Sequence, residues 1–228
     1  KMQQHILICA IFRNREKYIV RWHEQITKFM NYYKDCTFSV SLYENDSTDN
    51  TKKMIEELDL SPFKYSWRKS ETLQTEYFQS VIAKDRVKNL ANARNTCIQQ
   101  AVDHIDEFDK ILFVEPDFEY TLESAIKVLE ADKLYNMEID IVSGVSIMND
   151  KFYDMWATRR NEKETWGKAI IRDGIEPFWS TFSGFCLYNA KPFKEGVRFG
   201  WFNNRLKIFD CDTVVICENF REKGYNRI

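Results

Sequence analysis

From its first residues the chain alternates short apolar runs with stretches of helical period, and that alternation leaves few folds open. HILICAIF at 5–12 is an apolar run that ends in the polar loop Arg13-Asn14-Arg15. Residues 16–33 then repeat Tyr18, Ile19, Trp22, Ile26, Phe29 and Met30 at spacings of three and four, which predicts a helix. TFSVSLYE at 37–44 alternates, with Phe38, Val40 and Leu42 on one face, and predicts a strand. In the turn Asn45-Asp46-Ser47-Thr48-Asp49, either Asp49 or Ser47 suits the N-cap of a helix over 50–58. KYSWR at 64–68 predicts a short third strand, and 70–85 reads as a loop. A helix over 86–105 turns Val87, Leu90, Ala91, Ala93, Cys97 and Ile98 inward, and 111–114 of KILFVEPDFEY is a buried strand. A helix over 121–134, a strand over 139–147 and a last helix near 213–223 complete the pattern. Strand–helix–strand order at this spacing predicts one α/β sandwich over 1–228 with a mostly parallel sheet.

Composition removes whole classes of function. Lys and Arg total 33 against 35 Asp and Glu, a net charge of −2, so no global positive field draws in nucleic acid. Apolar residues make up 44% and there are only 7 Gly and 4 Pro, which excludes disorder and low-complexity sequence. No apolar run reaches the about 18–20 residues of a membrane span, and no signal-peptide pattern opens the chain. A start at Lys1 suits a piece of a longer protein. The six cysteines (Cys9, Cys36, Cys97, Cys186, Cys211 and Cys217) mostly sit in apolar stretches, which suits reduced, buried thiols. No CxxC occurs and His is confined to positions 5, 23 and 104, so a structural zinc site is not expected. Reduced thiols fit the cytoplasm; an N-terminal anchor outside this chain would fit a Golgi lumen instead.

In an open parallel sheet, ligands bind beyond the carboxyl ends of the strands. Polar residues stand at three such ends: Arg13 after the first strand, Glu44-Asn45-Asp46 after the second and Glu115-Pro116-Asp117 after the fourth. Glu115 and Asp117 offer hard oxygen ligands to Mg²⁺ or Mn²⁺, which a nucleoside diphosphate would share. The acid-rich turn 43–51 offers carboxylates to ribose hydroxyls or a base edge, with helix N–H groups behind it. The same residues also read as plain turns and caps. Trp156 reads as core packing along a strand shared with Phe152 and Asp154, and Arg159-Arg160 and Lys52-Lys53 read as solvated faces.

Several segments in order carry a resemblance: FSVSLYENDSTDNTKKMIEEL (38–58), NLANARNTCIQQA (89–101), FDKILFVEPDF (108–118), FYDMWATRR (152–160), FWSTFSGFCLYNAKPF (178–193) and CDTVVICENFREKGYNRI (211–228). The chain resembles a GT-A glycosyltransferase, and more narrowly the cryptococcal capsule-associated α-1,3-mannosyltransferase-like group, glycosyltransferase family 69. The resemblance implies a GT-A sandwich, a nucleotide-sugar donor such as GDP-mannose, a glycan acceptor, Mn²⁺ or Mg²⁺, and retention of the α configuration. By position it makes Asp117 the metal ligand, and Glu44 and Asp46 the nucleoside contacts. Arg94 would reach from its helix toward the acidic loop or the diphosphate, and Glu115 stands where the family varies; Glu115 and Arg13, at their strand ends, are placed with the donor. It puts Asp154 and Trp156 at the acceptor side, Trp156 as a stacking surface, and Asp212 near the reacting centre, with helix capping and metal binding as its alternatives. GT-A enzymes often add a late His to the metal, and no His follows His104, so Asp212, Glu218 or a His beyond Ile228 is left to fill that place. Two other classes remain: a non-catalytic carbohydrate- or nucleotide-binding module on the same fold, and a nucleotidyltransferase, whose Gly-rich loop after the first strand is missing from IFRNREKY.

Overall fold

A computed structural model describes residues 3–79, 81–167 and 173–228. Its centre is a six-stranded sheet in the order β3-β2-β1-β4-β8-β5. The strands are β1 (His5–Phe12), β2 (Thr37–Asn45), β3 (Ser66–Glu71), β4 (Lys110–Val114), β5 (Ile141–Ser143) and β8 (Phe185–Asn189). Two small hairpins lie outside it: β6 (Ile147–Met148) with β7 (Lys151–Phe152), and β9 (Phe202–Asn203) with β10 (Ile208–Phe209). β3, β2, β1 and β4 run parallel, whereas β8 is antiparallel to both its neighbours. The fold is therefore the expected α/β sandwich.

From Ile6 to Phe12 β1 is apolar because both its faces are covered. Leu7 and Cys9 face a core completed by α3 (Lys84–Gln100) and α7 (Asp212–Glu222). Ile6, Ile8 and Ala10 face the opposite core, built from α1 (Ile19–Tyr32), α2 (Thr51–Glu57) and α4 (Leu122–Leu129). The short α5 (Ala131–Leu134) and α6 (Lys191–Lys194) finish the helices. Among the described residues no helix is long and apolar enough to cross a membrane. None of the six cysteines is in a disulfide, and only Cys36 is not buried.

Several boundaries depart from the sequence reading. The helix expected over 86–105 stops at Gln100 and continues as a 3-10 segment, Val102–Glu107. The helix expected over 121–134 breaks at Glu130, whose carboxylate accepts the Tyr33 hydroxyl at 2.9 Å. The strand expected over 139–147 pairs only at Ile141–Ser143; the chain then leaves the sheet and forms the β6–β7 hairpin. Trp156 is thus on a turn rather than on a strand. Arg159, expected in solvent, is 1% exposed and forms a bidentate pair with the equally buried Asp210. Its neighbour Arg160 stays partly open and pairs with Glu176 at 3.5 Å.

Candidate active site

Three loops meet beyond the carboxyl ends of β1, β2 and β4. After β1, Asn14 takes a left-handed conformation (φ 52°) and accepts the Thr48 N–H at 2.7 Å, while its own N–H donates to Ser47 Oγ at 3.1 Å. Asp49 accepts the Thr51 N–H at 2.9 Å, one residue ahead of the observed N-cap, Asn50. These bonds stitch the loop after β1 to the loop after β2. After β4, the Glu115 N–H donates to the Gly184 carbonyl at 2.8 Å, and the Phe118 side chain packs closely against Gly184. A Cβ there would collide with the Phe118 ring, so only glycine lets the acidic turn settle on this edge.

Arg94 organises the floor of the site from α3. Its Nη1 donates to Glu115 at 2.7 Å and its Nε to Asp212 at 3.0 Å. The guanidinium is almost wholly buried among the rings of Phe113, Phe182 and Phe199, with centroids 5.0–5.9 Å away. Burial opposes its charge, but Glu115 and Asp212 outweigh that and keep it a cation. Burial also pushes the Asp212 carboxyl up, against the pull of Arg94. Asp212 does not cap α7: the N-cap is Cys211, and no side chain caps that end.

Two more acids crowd this floor. Asp117 is half-exposed and 3.9 Å from Arg15; burial, then the Glu115 charge, raises its pKa. Asp154 is pushed up to about 6, mainly by burial and further by Glu115 and Asp117, against a hydrogen bond with Ser146 and the Arg94 charge. Arg94, the Glu115–Asp117 turn, Asp154 and Asp212, drawn from four separate stretches of sequence, thus share one electrostatic neighbourhood. Beside Glu115, a cavity of about 120 Å³ is lined by Arg13, Arg15, Asn45, Tyr77 and Asn89.

Not every expected residue faces that cavity. Glu44 is 2% exposed and turns into its own loop, accepting the Ser47 N–H at 2.8 Å. Both Asp46 oxygens are taken by N–H and O–H groups of residues 45 and 73–75. In this geometry both carboxylates are engaged within the protein and shape the loops around the cavity. Trp156 is half-buried, packs edge-on against Phe209 at 5.9 Å, and gives its carbonyl to Arg159. The sequence reading places Arg15 only in the polar loop after β1, not among the site residues, and does not single out Tyr77. Arg15 follows Arg13 by two residues in a polar loop, which is a usable signal; Tyr77 sits in an aperiodic stretch that gives none.

Among the described residues, no three His, Cys, Asp or Glu side chains stand close enough to hold a metal ion between them. The donor set still suits a hard cation that takes one or two carboxylates from the protein and its other oxygens from phosphates and water, the usual habit of Mg²⁺.

The family described as Cryptococcal mannosyltransferase 1 matches residues 5–218. The chain belongs to this family. No curated sequence matches the chain. Solved structures show where this mannosyltransferase-family chain stands in fold space. S. aureus TarS 1–349 superposes with a TM-score of 0.50 at 18% identity, covering 98% of this chain and 55% of its own. Mannosyltransferase PcManGT from Pyrobaculum calidifontis, solved with GDP-Man and Mn²⁺, gives 0.51 at 10% identity over 87% of this chain and 48% of its own. At these identities the likeness is one of fold: the sheet is that of the GT-A nucleotide-diphospho-sugar transferases. The chain spans about half the length of the TarS 1–349 chain.

Proposed function

We propose that the chain is the catalytic domain of a divalent-metal-dependent glycosyltransferase that moves mannose from GDP-mannose to a glycan hydroxyl with retention of configuration. The observation that carries this is the meeting of Glu115, Asp117, Asp154 and Asp212 around Arg94, beside a cavity edged by Arg13 and Arg15. Family membership supports sugar transfer, and the fold shared with a GDP-Man and Mn²⁺ complex supports this donor and cation.

The residues divide the work by position. Asp117, half-open and beside the cavity wall, would hold the cation. When bound, Mn²⁺ or Mg²⁺ supplies charge neutralisation to the departing diphosphate. Arg15 and Arg13 give that end of the site positive charge. Arg94 fixes Glu115 and Asp212 with two short charge-assisted bonds, so neither acid has to reorganise during transfer. Asp154, poised near pH 6, accepts a hydrogen bond from the acceptor hydroxyl and orients it. In a retaining front-face transfer the departing diphosphate oxygen itself takes the hydroxyl proton, so no strong base is required.

A thermal-shift screen of GDP, UDP and GDP-mannose, each with and without Mn²⁺, tests the reading. Ligand at about 100 times its Kd stabilises a fold by about 2.7 kcal/mol, which is readily seen. The expected result is stabilisation by GDP that needs Mn²⁺, with release of GDP when an acceptor glycan is added to GDP-mannose. No Mn²⁺-dependent nucleotide binding refutes the proposal. Binding without turnover on any acceptor, or without slow donor hydrolysis, makes the chain a non-catalytic nucleotide-binding module.

A further inference from the structure

The loop between β3 and α3 has no regular structure over residues 72–79, yet one side of the cavity is built from it. Its first half hangs on one carboxylate. Asp46, at the end of β2, sits in the left-handed region (φ 55°) and points both oxygens across at this loop. Oδ1 accepts the N–H groups of Leu73 at 2.8 Å and Gln74 at 3.0 Å; Oδ2 accepts the Thr75 N–H at 3.2 Å and its hydroxyl at 2.7 Å. Asn45 Nδ2 completes the set at 2.9 Å. Burial would raise this carboxyl, but the bonds from Thr75, Asn45 and Gln74 outweigh it and hold it far below the usual carboxylate range.

Thr75 passes the constraint on. Its hydroxyl accepts Arg13 Nη1 at 2.9 Å and its carbonyl accepts Arg13 Nη2 at 2.7 Å. Nη1 also reaches the Glu76 carbonyl at 3.1 Å. Held in this way, the Arg13 guanidinium stands 5.4 Å from the centroid of the Tyr77 ring. Tyr77 lines the cavity, is 46% exposed, and helps Asp117 to sustain the Arg15 charge. An aromatic ring backed by a fixed cation and half-open to a cleft is a stacking surface for another planar group.

We propose that Asp46 is a positioning residue for donor recognition: through Thr75 and Arg13 it holds the Tyr77 ring in the cleft wall, where the ring meets the nucleobase of the donor. This rests on the reading of the cleft as a nucleotide-sugar site. Asp46 itself touches no part of the donor. Its influence is on binding, because the base lies far from the bond that breaks, and binding shared by ground and transition states moves KM rather than kcat.

The test is a double-mutant cycle on Asp46→Asn and Tyr77→Leu, with Thr75→Val as a second break in the relay. GDP affinity with Mn²⁺ and steady-state transfer are read for each variant. Each single variant is expected to weaken GDP about tenfold or more, to raise the donor KM in step, and to leave kcat within about threefold. Asp46→Asn added to Tyr77→Leu is expected to weaken GDP no further than Tyr77→Leu alone, since both act through one ring. Hydrogen exchange in the absence of nucleotide should rise at the amides of 73–75 in Asp46→Asn. Wild-type binding that Asp46→Asn leaves unchanged overturns this proposal while sparing the donor reading, as does full additivity in the cycle. A wild-type chain that binds neither GDP nor UDP with Mn²⁺ overturns both.

Discussion

Asp154→Asn is expected to make the protein more stable and less active, and the size of the stability change depends on pH. In the folded chain the Asp154 carboxyl is raised from 3.8 to about 6, first by burial and then by the charges of Glu115 and Asp117. A tenfold change in an ionisation constant is about 1.4 kcal/mol, so the full gap costs the ionised fold about 3 kcal/mol as an upper bound. The folded value lies above the unfolded one, so the protonated acid contributes stability below about pH 4. That stability drains away as pH rises through about 6, because the unfolded chain releases the proton first. Asparagine keeps the shape and cannot ionise. The variant should therefore exceed the wild type by about 3 kcal/mol at pH 7.5 and by only about 1 kcal/mol at pH 4.5. For a chain of this size each kcal/mol moves Tm by about 2–4 °C, so calorimetry at the two pH values resolves the difference. Turnover should fall in the same variant, and the wild-type rate should rise through about pH 6 as Asp154 ionises. A variant less stable than the wild type at pH 7.5, or a stability difference that does not move with pH, refutes the reasoning.

Three further outcomes are expected. Asp117→Asn should abolish Mn²⁺-dependent GDP binding while leaving Tm within a few degrees, because the side chain is half-open and its ion pair with Arg15 is 3.9 Å long. Arg159→Met should destabilise the chain by about 3–5 kcal/mol in urea titrations, since it strands the fully buried Asp210; adding Asp210→Asn should restore part of the loss. Asp212→Asn should still bind GDP with Mn²⁺ yet transfer at least about 10²-fold more slowly, and near-normal turnover would reduce Asp212 to a structural partner of Arg94.

The parts legible in the sequence were those set by local pattern. β1, β2 and β4 announce themselves as apolar runs with polar exits, and the sheet's parallel order follows from the helices between them. The acidic exits of β2 and β4 were legible for the same reason. What each carboxylate does there was not. Glu44 and Asp46 differ from Glu115 and Asp117 only in where the backbone aims them, and the left-handed turn at Asp46 is a conformational fact that no spacing encodes. Arg159 and Arg160 look alike in sequence; a partner 51 residues away buries one and leaves the other partly open. Arg94 could be suspected of meeting an acid, but its double engagement with Glu115 and Asp212 spans 21 and 118 residues and belongs to tertiary structure.

The charge inventory of the site gives the arrangement its sense. Four carboxylates (Glu115, Asp117, Asp154 and Asp212) face two guanidiniums, those of Arg94 and Arg15. Arg94 is fully committed to Glu115 and Asp212, and Arg15 stands too far from Asp117 for a tight pair. Three of the four acids are accordingly raised, each chiefly by burial and each further by Glu115. A fold bears such uncompensated negative charge at a cost, and placing a divalent cation against Asp117 would relieve it for both Asp117 and Asp154. That cation would in turn create a place for phosphate oxygens, between itself and the Arg13–Arg15 loop. The chain thus supplies an acidic half and a basic half of a site that a metal and a diphosphate would complete together. Neither is expected to bind tightly without the other.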